Sequence, residues 1–172
     1  MLSEDGDAMI EVEDLTDNEC LELLESEDYG HLACSMNDRP YVVPIHYVFS
    51  TGEFYVYTTE GKKFEMIRAN PNVCLQVERV KSAHEWESVI VFGKALQIHD
   101  EDERSFALSM ILERNPGLTP AVSIRWMDSW VRENIEVIYR ITPSLITGRT
   151  SGENRRPRRA NPPRPTEDAT LS

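Results

Sequence analysis

Stretches in which apolar and polar residues alternate fill the middle of the chain and predict short antiparallel strands. HLACS, PYVVPIHYVF and FYVYTT lie between residues 31 and 59, and turn signals at Asn37-Asp38 and at STGE separate them. NVCLQVERV and WESVIVFGKALQI continue the pattern, and IEVIYRI at 135–141 is the last predicted strand. Because tight turns join most of these strands, the pattern favours an antiparallel β-barrel.

Stretches with helical periodicity accompany the strands. Thr16 and Glu19 form a capping-box pattern in TDNECLELLESE, so a first helix is predicted to end near Gly30. A second helix is predicted at residues 101–114, after Asp100 as its cap. The chain is therefore predicted to be mainly β, a β-barrel with helical additions. Trp126 and Trp130, four residues apart in a later amphipathic stretch, are predicted to make core or dimer contacts.

Length, composition and charge predict one domain, residues 15–150, within the 172 residues. A flexible acidic segment is expected at 1–14, and a disordered Arg/Pro-rich tail at 151–172, which has too few apolar residues to fold. The net charge of -12 repels nucleic-acid phosphates. No apolar run is long enough to span a membrane, and the acidic N-terminus is unlike a secretory signal. We therefore expect a cytoplasmic protein without nucleic-acid or membrane partners.

The cysteines and histidines are spaced too irregularly to predict a metal centre. They form neither a C-x-x-C motif nor a Cys/His cluster with ligand spacing. The cysteines are interpreted as buried thiols rather than as redox or nucleophilic groups. The residues concerned are Cys20, Cys34, Cys74, His31, His46, His84 and His99.

The stretch TTEGKKFEMIRANP concentrates positive charge and hydroxyl groups between a strand and a short helix. Thr58 and Thr59 end the strand, and Lys62 or Lys63 opens the helix. Cations are unfavourable at a helix N-terminus unless an anion lies between them, so these residues predict an anion site. The alternative is that both lysines are simply solvated. Neither the Walker nor the Rossmann glycine pattern occurs, so a nucleotide here would require another fold.

Pro44 interrupts the second predicted strand. Because proline cannot donate a backbone hydrogen bond, it marks a sheet edge, a bulge, or a place where something other than a strand lies alongside. The residues around Pro44 leave these three explanations open.

Three stretches in this order carry a family resemblance: GHLACSMNDRPYVVPIHYVF, FYVYTTEGKKFEMIRANPNVCLQV and EWESVIVFGKALQI. They resemble the flavin-nucleotide-binding relatives of pyridoxamine 5'-phosphate oxidase, especially the nitroimidazole reductase branch. The resemblance implies an antiparallel split barrel that forms a homodimer, with FMN at the interface. It also implies that Lys63 binds the FMN phosphate, with Lys62, Thr58 and Thr59 beside it.

The same resemblance implies contacts to the flavin ring from two strands. In the family the second strand passes under the ring, and its members have a proline where Pro44 stands. The fifth strand supplies further side-chain and backbone contacts. The residues implied are Val43, Pro44, Ile45 and His46 on the second strand and Ser88 and Val89 on the fifth.

The function implied is that of an FMN-dependent oxidoreductase acting on a small molecule, with His46 and Tyr57 as proton donors. Nitroimidazole reductases have a histidine where this chain has Tyr57, which leaves flavin binding intact but questions nitroimidazole as the substrate. The alternatives are a flavin-binding module without turnover, and a relative that binds haem or a deazaflavin on the same barrel.

Overall fold

Seven antiparallel strands and three helices make up the part of the chain that the structure describes. The structure is a computed structural model that describes residues 11–59, 61–117 and 136–151. In chain order the elements are β1 Val12–Asp14, α1 Asp17–Ser26, β2 Tyr29–Met36, β3 Arg39–Ser50, β4 Glu53–Thr59, α2 Lys62–Ala69, β5 Asn72–Ser82, β6 Glu85–Gln97, α3 Glu101–Arg114 and β7 Glu136–Ser151.

The strands form a barrel with the order β1-β7-β4-β3-β2-β5-β6, closed by pairing of β6 with β7. Side chains along each strand alternate between the interior and the outer face. The predicted antiparallel barrel with helical additions is therefore confirmed. Its interior is filled by fully buried side chains that include Leu32, Phe54, Val56, Leu75, Val77, Val89, Val91 and Ile141.

The barrel is split between β3 and β4. β4 pairs with β3 only from Tyr47 to Ser50, whereas β2 pairs with β3 from Arg39 to His46. Among the described strands, residues 39–46 of β3 therefore have a neighbour on one side only. Pro44 lies in this half of β3, and the β2–β3 register is continuous there, so Pro44 stands at a sheet edge and not at a bulge. That something other than a strand lies alongside it stays a prediction.

Two helices begin at the caps that the sequence predicts. The Thr16 hydroxyl accepts from the backbone N–H of Glu19 at 3.3 Å, and the Glu19 carboxylate accepts from the backbone N–H of Thr16 at 2.7 Å. The Asp100 carboxylate accepts from the backbone N–H of Glu103 at 2.9 Å. Such caps satisfy N–H groups that have no partner inside the helix, and they fix where α1 and α3 start.

Helix α3 covers one part of the outer face of the barrel. Its Ala107 and Ile111 pack against Val48, Tyr55 and Ile138 on the strands below. Exposed apolar side chains on β5 and β6 show that another part of the outer face stays open within the described residues.

The chain ends differ from the sequence-based expectation. Val12 to Asp14 form β1 and pair with residues 149–151 of β7, although 1–14 was expected to be flexible. Strand β7 also continues past residue 141 to Ser151, because it pairs with β6 along this whole length. The polar residues around Pro143 gave no strand pattern, so the sequence did not predict this continuation. A bulge at Phe92/Gly93 shifts the register of β6 against β7 at this point. Residues 1–10, 152–172, and both Trp126 and Trp130 lie outside the described residues.

Candidate functional site

Lys63 in the first turn of α2 makes the central contact of the predicted anion site. Its ammonium group donates a hydrogen bond to the hydroxyl of Thr58 at the end of β4. The Lys63 side chain is partly buried, and this desolvation lowers its pKa from the ordinary lysine value. The helix begins after Gly61, and no side chain caps its first turn. A partly buried ammonium and uncapped N–H groups favour an anion at this place.

Lys62 contacts the opposite side of the split. Its ammonium lies 4.7 Å from the ring centroid of Tyr41, which belongs to the one-sided half of β3. The two neighbouring lysines of α2 therefore contact the two strands that separate here. Lys63 contacts β4, and Lys62 contacts β3. A phosphate entering the split would exchange these neutral partners for charge-assisted hydrogen bonds.

The other end of α2 is held to the barrel. The Asn70 side-chain amide donates to the carbonyl of Ser35 at 3.1 Å, and the Asn70 backbone N–H donates to the Met66 carbonyl at 2.8 Å. Met66 and Ile67 are buried in the barrel core. The position of the lysines is thus set by packing of the whole helix. Thr59 continues the pairing of β4 with β7, and the predicted role of its side chain stays a prediction.

The predicted ring contacts on β3 fall on two faces of the strand. Ile45 is buried and Val43 packs against the core, so both side chains point into the barrel. Pro44 and His46 point to the outer face because side chains alternate along a strand. A flavin ring on the outer face could contact the side chains of Pro44 and His46. It could contact only the backbone of Val43 and Ile45, along the edge of β3 that β4 does not pair with.

The predicted contacts on β6 divide in the same way. Val89 is fully buried in the interior, whereas Ser88 lies partly buried on the outer face and accepts from the Gln76 side-chain amide at 3.4 Å. In the strand order, β2 and β5 lie between β3 and β6. Three strand spacings correspond to about 14 Å, so one protomer does not bring Ser88 beside Pro44.

His46 and Tyr57 lie where β3 and β4 separate. The last registered pair of these strands is Tyr47 with Val56, and His46 and Tyr57 are the next residues on each strand. Tyr57 packs partly buried against the residues that α3 covers. His46 contacts the ring of Tyr29, and its Nδ1 is buried without a hydrogen-bond partner among the described residues. The two predicted proton donors therefore share the mouth of the split.

Sequence reasoning assigned no flavin-site role to Tyr29, His31 or Tyr41. Tyr41 meets Lys62 across the split, and Tyr29 meets His31 and His46 through the pairing of β2 with β3. A strand prediction that began at residue 29 would have suggested Tyr29. The contacts themselves depend on strand register, which local periodicity does not give.

A band of exposed apolar side chains crosses the open part of the outer face. Cys74 pairs with Phe92, and Phe92 pairs with Leu145, so β5, β6 and β7 contribute neighbouring positions. On the other side of β5, Cys74 pairs with Ala33 on β2, and Ala33 pairs with Val42 on β3. Val42, Phe92 and Leu145 are 57%, 46% and 54% exposed. We call these five residues, of which Ala33 and Cys74 are half-buried, the apolar band, and an exposed apolar patch of this kind is a candidate interaction surface.

The described part of the chain shows no metal-binding or membrane-spanning feature. Its His, Cys, Asp and Glu residues form no group of three or more that could hold a metal ion. None of its helices has the length and apolar character needed to cross a membrane.

Comparisons with known proteins agree with this architecture. The family model described as pyridoxamine 5'-phosphate oxidase matches residues 16–150. The uncharacterized protein RA0666 of Rhizobium meliloti (strain 1021) is 35% identical over 102 residues, which are 57% of this chain and 67% of that protein.

Two solved structures share the fold. An FAD-binding protein (mll6688) from Mesorhizobium loti is 30% identical with a TM-score of 0.68, covering 84% of this chain and 100% of that one. A candidate 5-nitroimidazole antibiotic resistance protein from Bacteroides thetaiotaomicron VPI-5482 is 19% identical with a TM-score of 0.64, covering 83% and 89%. The second likeness concerns the fold alone. With the family model matching most of the chain, this protein belongs to the pyridoxamine 5'-phosphate oxidase family.

Proposed function

We propose that this protein binds FMN and is an oxidoreductase acting on a small molecule. The observation that carries the proposal is the pair of lysines that opens α2 and contacts both strands of the split. The pair, the Thr58 hydroxyl and the uncapped helix start fit a terminal phosphate. The family and the relative named as FAD-binding support a flavin.

The residues beside the lysines suit the rest of a flavin nucleotide. From the phosphate site, the free edge of β3 leads past Val43 to Pro44 and His46 on the outer face. Pro44 offers an apolar surface for a ring, and the free edge offers backbone groups for its polar atoms. FMN would supply hydride and electron transfer, while the protein would bind, orient and shield it from water. His46 and Tyr57 stand nearest to this edge as proton donors.

A homodimer would complete such a site. Three strand spacings, about 14 Å, separate the strand of Ser88 from the strand of Pro44 within one chain, which is too far for a direct contact to the same ring edge. The apolar band lies on the same outer face as Pro44 and Ser88. Burying this band against a second copy would remove it from water and could bring the second copy's Ser88 to the ring.

The phosphate site is tested by comparing FMN with riboflavin, which lacks the phosphate. Binding titrations should give the wild-type protein an affinity for FMN at least about tenfold above that for riboflavin, because two charge-assisted contacts are made to the phosphate. Lys63→Ala should remove most of this preference and leave riboflavin binding unchanged. Lys81→Ala is the matched control, since Lys81 pairs with Glu85 far from the split. Equal loss in both variants, or no flavin uptake by the wild type, would refute the proposal.

Turnover needs a separate test, because a flavin-binding module without activity has the same phosphate site. FMN-loaded protein is mixed anaerobically with NADH or NADPH, and loss of the oxidised flavin absorption is followed. Reduction within seconds, and reoxidation by an added small-molecule acceptor, would support the oxidoreductase. A flavin that binds but is neither reduced nor reoxidised would favour the non-catalytic alternative.

A further inference from the structure

Three aromatic side chains form a cluster beside Pro44. Only His46 among them has a role in the proposed flavin site. Tyr29 on β2 lies opposite His46 on β3, and His31 lies opposite Pro44. The Tyr29 ring centroid is 5.6 Å from that of His31 and 5.4 Å from that of His46, at interplanar angles of 78° and 65°. We call Tyr29, His31 and His46 the three-ring cluster.

Two features of the three-ring cluster indicate a ligand. Tyr29, the central ring, is 45% exposed although it is held from both sides. His46 Nδ1 is buried and has no hydrogen-bond partner within the described part of the chain. Leaving a buried polar atom without a partner is unfavourable, and a ligand group bonded to it would offset that cost. An exposed aromatic ring beside such an atom suits a flat ligand that carries a polar group.

The surrounding charge limits what this ligand can be. Asp28 precedes Tyr29, and Glu78 lies two residues from Gln76, which pairs with His31. The chain as a whole has a net charge of -12. An anionic aromatic compound would meet repulsion from these carboxylates, whereas a neutral one would not.

We infer that the three-ring cluster binds the second substrate, a neutral planar compound with a conjugated ring and a ring carbonyl, of the quinone class. The inference rests on the proposed function, because it places this compound beside a flavin ring at Pro44. Tyr29 would contact the ring face of the compound, and His46 Nδ1 would hydrogen-bond to its carbonyl oxygen. Tyr29 and His31 thereby become residues that set substrate specificity.

The test uses tetramethyl-1,4-benzoquinone, whose fully substituted ring does not add the thiols of Cys20, Cys34 and Cys74. Its dissociation constant is measured by equilibrium dialysis on the full chain, with and without FMN. Tyr29→Leu should weaken binding roughly fivefold through loss of ring contact. His46→Phe keeps a ring and should weaken binding by a similar factor through loss of the hydrogen bond.

Three controls isolate the cluster. Tyr29→Phe should bind the quinone normally. Phe106→Leu removes a ring that is 54% exposed on α3, away from the cluster, and should also change nothing. 1,2,4,5-Tetramethylbenzene lacks both carbonyls, so His46→Phe should not weaken its binding while Tyr29→Leu should. Circular dichroism checks that each variant is folded.

The outcomes separate the two proposals. Quinone binding that is absent in the wild type, or that is equal in wild type, Tyr29→Leu and His46→Phe, would overturn the three-ring cluster as a substrate site. If quinone affinity depends on Tyr29 and His46 while FMN affinity does not depend on Lys63, the three-ring cluster stands as a quinone site and the flavin proposal fails. If FMN affinity depends on Lys63 but quinone affinity is the same in Tyr29→Leu, His46→Phe and the wild type, only the substrate site at the three-ring cluster is refuted.

Discussion

At the scale of single residues, the placement of Lys63 is favourable for its charged ammonium group only when an anion is bound beside it. Without an anion its ammonium has lost much of its water, donates to the Thr58 hydroxyl, and has a lowered pKa because of that burial. A phosphate would favour the charged form and raise the pKa again. The sequence contains two adjacent lysines, yet they are not equivalent, because Lys62 is exposed over Tyr41 while Lys63 faces Thr58.

The lowered pKa of Lys63 predicts how FMN binding depends on pH. In the flavin-free protein Lys63 loses its proton at a pH below the ordinary lysine pKa, so attraction for the phosphate is complete below the lowered pKa and fades as pH rises through it. The FMN preference over riboflavin should therefore fall in the alkaline range. Lys63→Arg stays charged and should keep its preference to higher pH. Titrations from neutral to alkaline pH check this, and identical profiles for both proteins would contradict it.

At the scale of elements, strand β3 has two roles in one continuous stretch. Its second half, Tyr47 to Ser50, pairs with β4, while its first half, Arg39 to His46, pairs with β2, so among the described strands neither half has a neighbour on both sides. Barrel closure on the opposite side is achieved by the long pairing of β6 with β7.

Gly93 is the position where the closure of β6 on β7 leaves no room for a side chain. A Cβ atom there would lie 2.5 Å from the backbone carbonyl oxygen of Thr142 and 3.2 Å from the Ile141 side chain. Gly93→Ala should lower the free energy of unfolding by about 1 to 3 kcal/mol, because a backbone atom must shift. Urea unfolding measures this. Gly117→Ala, where nothing lies within 4 Å, should stay near the wild-type value, and an equally stable Gly93→Ala would show that the strands can separate at little cost.

At the scale of the whole molecule, the outer face of the barrel is divided between α3 and open surface. Helix α3 covers the apolar residues at one end, and the apolar band remains exposed at the other. The proposed ring contacts Pro44 and Ser88 both lie on this open surface. A second copy that covered the band would therefore also enclose the ring.

Charge introduced into the apolar band tests this arrangement. Phe92→Glu should convert a dimer into monomers, because a carboxylate and its symmetry mate would be buried without partners. FMN affinity should fall at the same time if a second chain completes the site. Sedimentation velocity and FMN titration measure the two effects. Phe106→Glu on α3, whose ring is 54% exposed, is the control and should leave both unchanged. A wild-type protein that sediments as a monomer would refute the dimer.

Features that depend on neighbours in the chain were predictable from the sequence. The Thr16 and Asp100 caps, and the turn at Asn37-Asp38 with φ of 52° and 59°, are decided within a few residues, because Asn and Asp tolerate left-handed backbone and cap groups reach only to the next turn. The lysines of α2 belong to the same class, since a loop and the helix after it are contiguous.

Features that depend on strand register were decided only by the tertiary structure. The extension of β7 to Ser151, the split beside Pro44 and the meeting of Tyr29 with His46 all join residues that are distant in sequence. A shift of one residue would turn every side chain of a strand to the opposite face, so periodicity shows that a strand has two faces without showing what each face meets. The sequence by itself thus determined the central strands β2 to β6, the helix caps and the charged loop of this protein. Pairing across the barrel decided which side chains share a site, because contacts between strands are set by the packing of the whole core.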